Sequence, residues 1–219
     1  NYYDGAIKYV DGQIESLVEA LKELEVYDNS LIIFTSDHGQ EFLEHGGSGH
    51  GFTLYEEQLR VPLIIFPTAV VPAAREVDAP VGLIDLFPTL DDWLSLGFYK
   101  ADQSVSLKNL ILKADETEVR SRRFLFSETD KEDSLRSVLF ENKWKYIENV
   151  RKDTQELYDL AADPEEQKNV SPLHPALSAS LRERLHSHIA ELEKNAVASR
   201  KLDLDEWTKQ SLKAMGYLE

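Results

Sequence analysis

One aspartate and three histidines are the residues of this chain whose types and spacing could bind a metal ion. They lie within residues 31–51, LIIFTSDHGQEFLEHGGSGHG, where Asp37 and His38 directly follow a short apolar run. His45 and His50 stand in the glycine-rich stretch that comes next. Carboxylate and imidazole groups are ligands for manganese, zinc and similar divalent ions. This segment is therefore the candidate edge of an active site.

The same residues have plainer interpretations. An aspartate followed by histidine and glycine can cap a helix beside an exposed histidine. A glycine-rich stretch can be a surface loop whose histidines have no chemical role. A chemical alternative is a zinc site formed by His38, His45 and His50. The composition of the segment does not separate these alternatives.

A strand and the loop after it must position these side chains. The apolar run at residues 31–34 predicts a buried strand, and in an open α/β sheet ligands bind just beyond the carboxyl ends of the strands. Gly39 is expected to let the backbone pass close to a ligand. Apolar patterns predict helices over residues 4–24 and 85–96 and another buried strand over residues 61–66. The first half of the chain is therefore predicted to be part of an α/β core.

The second half of the chain has a different pattern, made of short runs with β-branched and aromatic residues. Four short strands are predicted at residues 124–127, 137–140, 143–147 and 156–160, of which the middle two form a hairpin. The segment DPEE at residues 163–166 predicts the start of a long helix, and residues 202–219 predict a shorter one. We therefore divide the chain into residues 1–123, part of the α/β core, and residues 124–219, a small antiparallel sheet with C-terminal helices.

The composition argues against several classes of partner. The 40 acidic and 24 basic residues give a net charge of −16, whereas nucleic acids and anionic membranes bind proteins with a basic face. No apolar run approaches the roughly 20 residues that span a bilayer, and the chain has no cysteine for a disulfide or a thiolate metal ligand. An anionic small substrate stays compatible with this charge, because a bound cation reverses the local field. The sequence does not indicate the cellular compartment.

The start of the chain indicates a piece of a longer protein. The single methionine is Met215, so residue 1 is not a translational start. The first residues also lack the order of charged, apolar and small residues that a signal peptide has. We therefore expect the chain to be a processed piece or a part of something longer.

Several segments of the chain resemble one family in both content and order. They are SDHGQEFLEHG at residues 36–46, GHGFTLYEEQLRVPLIIF at 49–66, VGLIDLFPTLDDWLSLG at 81–97 and ELYDLAADPEEQKNV at 156–170. In this order they resemble the C-terminal half of the sulfatases and related phosphoester hydrolases of the alkaline phosphatase superfamily. The resemblance implies the C-terminal part of an alkaline-phosphatase-like α/β sheet with flanking helices. A small antiparallel β subdomain and a terminal helix should follow it.

The resemblance also implies roles for particular residues. Asp37 and His38 match ligands of a divalent metal ion, which could be calcium, manganese or zinc. His50 matches the position of a catalytic lysine or histidine that contacts the sulfate or phosphate group. His45 matches no general role and is expected to be structural.

The resemblance places other parts of the catalytic machinery outside these 219 residues. The nucleophile, a formylglycine in many relatives, and further metal-binding acids belong to a missing N-terminal half. The expected partners are therefore that half of the same protein and an anionic ester substrate. The 219 residues alone are expected to be inactive.

We expect the intact protein to hydrolyse sulfate esters. Hydrolysis of phosphodiesters or phosphonate esters is the first alternative, because the imidazole of His38 suits zinc or manganese better than calcium. A non-catalytic structural module that kept the scaffold is the second alternative. The presence together of Asp37, His38 and His50 favours an enzyme.

Overall fold

The structure is a computed structural model and describes residues 2–71, 76–99, 104–113, 115–117, 119, 124–195 and 205–214. The chain divides into two units, Asn1–Leu185 and His186–Glu219. The candidate site and the sheets described below lie in the first unit. The proposed boundary between residues 123 and 124 stays a prediction.

Two helices, Tyr2–Glu23 and Leu86–Leu94, begin and end close to the residues that the apolar patterns predict. The helices described in full are Tyr2–Glu23 (α1), Glu56–Leu59 (α2), Leu86–Leu94 (α3), Lys108–Lys113 (α4), Pro175–Asn195 (α5) and Glu206–Ala214 (α6). A 3-10 turn, Leu83–Asp85, leads into α3. The residue after α3, Ser95, has a left-handed φ of 55°, so the helix stops before Gly97.

The strands form two small antiparallel pairs and one larger antiparallel sheet. The pairs are Ile33–Thr35 (β1) with Leu63–Ile65 (β4), and Glu41–Phe42 (β2) with Ser48–Gly49 (β3). The larger sheet consists of Phe124–Thr129 (β5), Leu135–Phe140 (β6), Trp144–Asn149 (β7) and Thr154–Asp159 (β8), hydrogen-bonded in that order. In the first pair Thr35 lies opposite Leu63. The carboxyl end of β1 therefore lies beside the start of β4, shortly after the end of α2.

The sheet β5–β8 buries apolar side chains on one face against α5. Val138, Tyr146 and Leu157 on the strands form a buried cluster with Leu181 and Leu185 on the helix. Successive residues of a strand point to opposite faces of the sheet, so only every second residue of a strand faces α5 and joins this cluster. Each buried leucine contributes about 2 kcal/mol to folding, and the helix is held to the sheet mainly in this way.

The opposite face of the sheet carries the segment that leads into α2. Ile147 and Tyr158 form a second buried cluster with Leu54, and the partly buried Tyr55 and Leu59 pack against it. Leu54 and Tyr55 directly precede α2, and Leu59 is its last residue. The helix α2 and the residues before it therefore pack on this face of the antiparallel sheet.

The α/β fold class predicted from the sequence is confirmed, because the structure combines helices with β-sheets. The strands β1 and β4, which were predicted to be buried, are only partly buried. The start of the long helix also differs from the prediction. The segment DPEE at residues 163–166 forms a turn, and the long helix begins only at Pro175. Glu166 has a left-handed φ of 53°, which ends any helical path. The chain then returns along β8, where the Val170 amide donates to the Leu157 carbonyl at 2.8 Å.

Two helices of the first unit present large apolar side chains to solvent. None of the residues of α1 is buried, and Ile7 and Leu17 are more than half exposed. On α3, Phe87 and Leu94 are also more than half exposed. Large apolar surfaces of this kind usually mark a place where another protein surface packs. Among the described helices, none has the length and apolar content needed to cross a bilayer.

Candidate functional site

The site begins where β1 ends, in a tight turn that places Asp37 beside His38. The Ser36 hydroxyl donates to the His38 carbonyl at 2.7 Å, and the His38 amide donates to Asp37 Oδ1 at 3.0 Å. These local bonds bring His38 Nε2 to 3.7 Å from Asp37 Oδ1. The Asp37 side chain is 69% exposed, so the carboxylate is accessible from solvent.

The hydrogen bond at the other ring nitrogen decides what His38 Nε2 can do. His38 Nδ1 lies 2.8 Å from the Gly39 carbonyl oxygen. Because that oxygen can only accept, Nδ1 carries the proton, and the neutral ring keeps its lone pair on Nε2. A ring nitrogen with a lone pair, oriented by a hydrogen bond at the opposite nitrogen, is the usual arrangement of a metal-binding histidine.

These two donors fit a divalent metal ion. Their separation of 3.7 Å lets both reach one ion through bonds of about 2.0–2.2 Å. Within the part of the chain that the structure describes, no group of three or more His, Cys, Asp or Glu side chains is arranged to hold a metal. A full set of ligands therefore needs donors besides Asp37 and His38.

His50 lies directly against His38. The two rings are stacked with their centroids 4.0 Å apart and their planes at 21°. His50 Nδ1 lies 3.2 Å from Gln40 Oε1, so Nδ1 donates there. Desolvation, His38 and Lys131 lower the pKa of His50, and Asp37 opposes them. The structure thus brings Asp37, His38 and His50 into one cluster, while their chemical roles stay predictions.

Gly39 fixes the distance between this cluster and α2. Its amide donates to the Gln58 carbonyl at 2.8 Å, and the next amide, of Gln40, donates to the Glu57 carbonyl at 2.9 Å. A Cβ atom at position 39 would lie only 2.0 Å from the Glu57 carbonyl oxygen. The close approach expected at this glycine is therefore an approach to the backbone of α2.

Two buried polar residues hold the glycine-rich loop in shape. Glu41 is 2% exposed, and its Oε1 accepts the Gly47 amide at 2.7 Å. Gln58 Oε1 accepts the Gly51 amide at 2.6 Å, and Gln58 Nε2 donates to Thr53 Oγ1 at 2.7 Å. Sequence analysis did not identify these two residues, because a single buried carboxylate or amide leaves no periodic signal.

His45 takes no part in the cluster. Its Nδ1 lies 2.8 Å from Glu57 Oε1 and its Nε2 lies 3.1 Å from the Glu166 carbonyl oxygen, while the ring stacks on Tyr55 at 3.7 Å. Both ring nitrogens face acceptors, so neither offers a lone pair to a metal ion. The alternative of a three-histidine zinc site does not match this arrangement, and the structural role expected for His45 agrees with it.

The two acceptors also favour the charged form of His45. Burial alone would lower the pKa of His45, but the hydrogen bonds to Glu57 and the Glu166 carbonyl, with the charges of both carboxylates, outweigh burial and raise it. A histidine whose pKa is raised by folding contributes stability that is fully present below the unfolded pKa of about 6.5. This stability is lost as the pH rises through the folded pKa.

We therefore expect His45→Gln to destabilise the chain more at low pH than at high pH. The loss in the free energy of unfolding is expected to be about 1–2 kcal/mol at a pH of about 5.5 and clearly smaller at a pH of about 8.5. Urea unfolding of both proteins at the two pH values measures the difference. A loss of equal size at both values would contradict the charged hydrogen-bond pair.

The chain is similar in sequence to known proteins over most of its length. The sequence model of the family described as Sulfatase matches residues 1–96. Arylsulfatase K from Bos taurus is 27% identical over 199 residues, which cover 86% of this chain and 36% of that protein. Choline-sulfatase from Rhizobium meliloti is 30% identical over 186 residues, which cover 82% of this chain and 35% of that protein. The chain spans about a third of the length of these curated relatives.

Two solved structures have the same fold over most of the chain. Phosphonate monoester hydrolase from Agrobacterium radiobacter superposes with a TM-score of 0.71 at 30% identity, over 84% of this chain and 40% of that chain. The 2-O GAG sulfatase BT1596 superposes with a TM-score of 0.75 at 25% identity, over 90% of this chain and 43% of that chain.

Proposed function

Since the chain belongs to the sulfatase family of the alkaline phosphatase superfamily, we propose that it forms part of a hydrolase that cleaves sulfate esters. The observation that carries this proposal is the cluster of Asp37, His38 and His50 at the end of β1. The cluster can hold an anionic ester beside a metal ion. The carboxylate and the first imidazole, with its lone pair on Nε2, can bind the ion, and the second imidazole lies against the first, where it can contact the ester.

In this proposal Asp37 and His38 are two of the ligands of a divalent metal ion. Such an ion, when bound, neutralises charge on the ester and lowers the pKa of the nucleophile. Asp37 brings a negative charge to the ion, and the Gly39 carbonyl keeps His38 in the tautomer that can bind. The imidazole at position 38 favours manganese or zinc over calcium.

His50 is the proposed catalytic residue of this chain. Because Nδ1 donates to Gln40, Nε2 is the nitrogen that remains for an oxygen of the ester. Nε2 donates only when the ring is an imidazolium, a form that the negative charge of a bound ester favours, whereas desolvation, His38 and Lys131 lower the pKa of His50. The donated hydrogen bond stabilises negative charge that develops on the oxygen in the transition state.

The remaining ligands and the nucleophile belong, in our proposal, to an N-terminal half of the same protein, where the nucleophile could be a formylglycine. The exposed apolar side chains of α1 and α3 are the surface that such a half would cover. The relatives support this view, since they are about three times the length that the chain matches. We expect the 219 residues alone to be inactive.

Hydrolysis of phosphodiesters or phosphonate esters is the second candidate function. The similarity to a phosphonate monoester hydrolase supports it, as does the preference of His38 for zinc or manganese. We place sulfate esters first because the chain is similar in sequence to an arylsulfatase and a choline-sulfatase.

An assay of the whole protein separates these candidates. Matched aryl sulfate, phosphate monoester and phosphate diester substrates are each measured with calcium, manganese and zinc. We expect the highest kcat/KM with the sulfate. A kcat/KM for either phosphate ester at least about tenfold higher would overturn this order, and turnover of no ester with any metal would favour a non-catalytic structural module.

A further inference from the structure

The turn formed by the segment DPEE at residues 163–166 holds a buried charged residue that the proposed chemistry does not use. The Glu166 side chain is 1% exposed, and its backbone φ of 53° lies in the left-handed region. Burial of a carboxylate and a left-handed non-glycine residue both cost folding free energy. A residue that carries both costs needs strong compensating contacts.

Those contacts lead to the sheet, to α2 and to the glycine-rich loop. Glu166 Oε1 lies 2.9 Å from Lys145 Nζ on β7, and Glu166 Oε2 accepts the Glu56 amide at 2.6 Å. Lys145 Nζ also donates to Glu56 Oε1 at 3.0 Å. The Glu166 carbonyl accepts from His45 Nε2. One residue of the turn therefore holds the first residue of α2 and the middle of the loop.

The helix α2 in turn contacts both histidine segments of the site. The Gln58 carbonyl accepts the Gly39 amide at 2.8 Å, and Gln58 Oε1 accepts the Gly51 amide at 2.6 Å. Gly39 directly follows His38, and Gly51 directly follows His50. A displacement of α2 would therefore move the segments of both histidines.

We propose that Glu166 is a positioning residue that sets the geometry of the His38 and His50 rings through α2. The ion pair with Lys145 holds Glu166 on the sheet, and the hydrogen bond from the Glu56 amide holds it against α2. The hydrogen bonds of Gln58 to the Gly39 and Gly51 amides then fix both histidine segments relative to α2. This inference rests on the proposed function for its kinetic consequence, but its structural part does not depend on which ester is cleaved. A misplacement of about 1 Å is enough to cost much of the rate of a positioned reaction.

The first test measures the rings themselves in the 219-residue chain. Glu166→Gln keeps the shape of the side chain and removes its charge, whereas Glu165→Gln, at an exposed position of the same turn, is the matched control. With 15N-labelled histidines, we expect Glu166→Gln to shift the ring resonances of both His38 and His50 and Glu165→Gln to leave them in place. A folded Glu166→Gln protein with unshifted rings would overturn the proposal.

A second variant keeps this test decisive if Glu166→Gln does not fold. Lys145→Met combined with Glu166→Met removes both charges and puts apolar side chains of similar size in their place, an exchange that proteins often tolerate. The double variant also loses the acceptor for the Glu56 amide. It should shift the same His38 and His50 resonances, and unshifted resonances would overturn the proposal.

The kinetic test uses the whole protein and separates positioning from binding. Glu166→Gln is expected to lower kcat about tenfold with KM changed by less than about twofold, because the rings act in the transition state. Glu165→Gln should match the wild type. A raised KM at unchanged kcat would overturn the kinetic part. If the wild-type protein cleaves no ester, the proposed function fails, while the NMR comparison still decides the positioning role.

Discussion

Asp37→Ala is expected to lower kcat/KM of the whole protein for its best ester by at least about 1000-fold, or about 4 kcal/mol. Asp37 is the proposed ligand that brings negative charge to the metal ion, and it lies 3.7 Å from His38 Nε2. Its loss leaves His38 as the one proposed metal ligand in this part of the site. The change also removes the acceptor for the His38 amide, so the turn that orients the ring loses a hydrogen bond.

Controls distinguish the loss of a ligand from the loss of a turn. Asp37→Asn retains an oxygen that can accept the His38 amide but has no charge, so it should keep the fold and still lose most of the activity. Asp28→Ala changes an acid in the 3-10 turn Tyr27–Asn29 and should leave activity unchanged. Calorimetry with manganese should show weaker binding to Asp37→Ala than to the wild type. Equal affinities would contradict the assignment of the ligand.

Gly39→Ala is expected to reduce the free energy of unfolding by about 3 kcal/mol or more. The added Cβ would lie 2.0 Å from the Glu57 carbonyl oxygen and 3.1 Å from Gln58 Cα. Both atoms belong to the backbone, so no side-chain rotation relieves the clash. The chain must separate from α2 and lose the hydrogen bonds of the Gly39 and Gln40 amides.

Urea unfolding of the chain measures this loss. Gly5→Ala is the matched control, because Gly5 lies in α1 and a Cβ there meets nothing within 4 Å. Alanine in a helix is favoured over glycine by about 1 kcal/mol, so the control should be as stable as the wild type or slightly more stable. A loss below about 1 kcal/mol for Gly39→Ala would show that the approach to α2 is not tight.

Local patterns were sufficient to predict the fold class and the larger sheet. The short runs of β-branched and aromatic residues correspond to β5–β8. The structure extends each strand by two residues at one end, while β7 begins and β8 ends one residue inside the predicted range. The position of Asp37 and His38 just after an apolar run was enough to place them at the end of β1. The predicted resemblance to the sulfatases is confirmed by the family model over residues 1–96 and by the similarity to an arylsulfatase and a choline-sulfatase.

The contacts that hold the site could not be predicted in the same way. Glu41, Gln58 and Glu166 belong to residue types that are mostly exposed, and they are buried here only because distant segments meet. The bond from Glu166 to the Glu56 amide joins residues 110 positions apart, a separation that no periodicity reports. The helix start predicted at residues 163–166 was wrong for the same reason, since contacts with α2 and the loop hold Glu166 in its left-handed conformation.

The hydrogen bond between Glu166 and α2 constrains its two residues unequally during evolution. Glu166 accepts the amide of Glu56, and every residue except proline supplies an amide. Lys145 already has Glu166 as its partner, so loss of the Glu56 carboxylate would leave a balanced pair. Position 56 can therefore change to any residue except proline while the hydrogen bond to Glu166 persists. Position 166 must keep the side chain that accepts this bond.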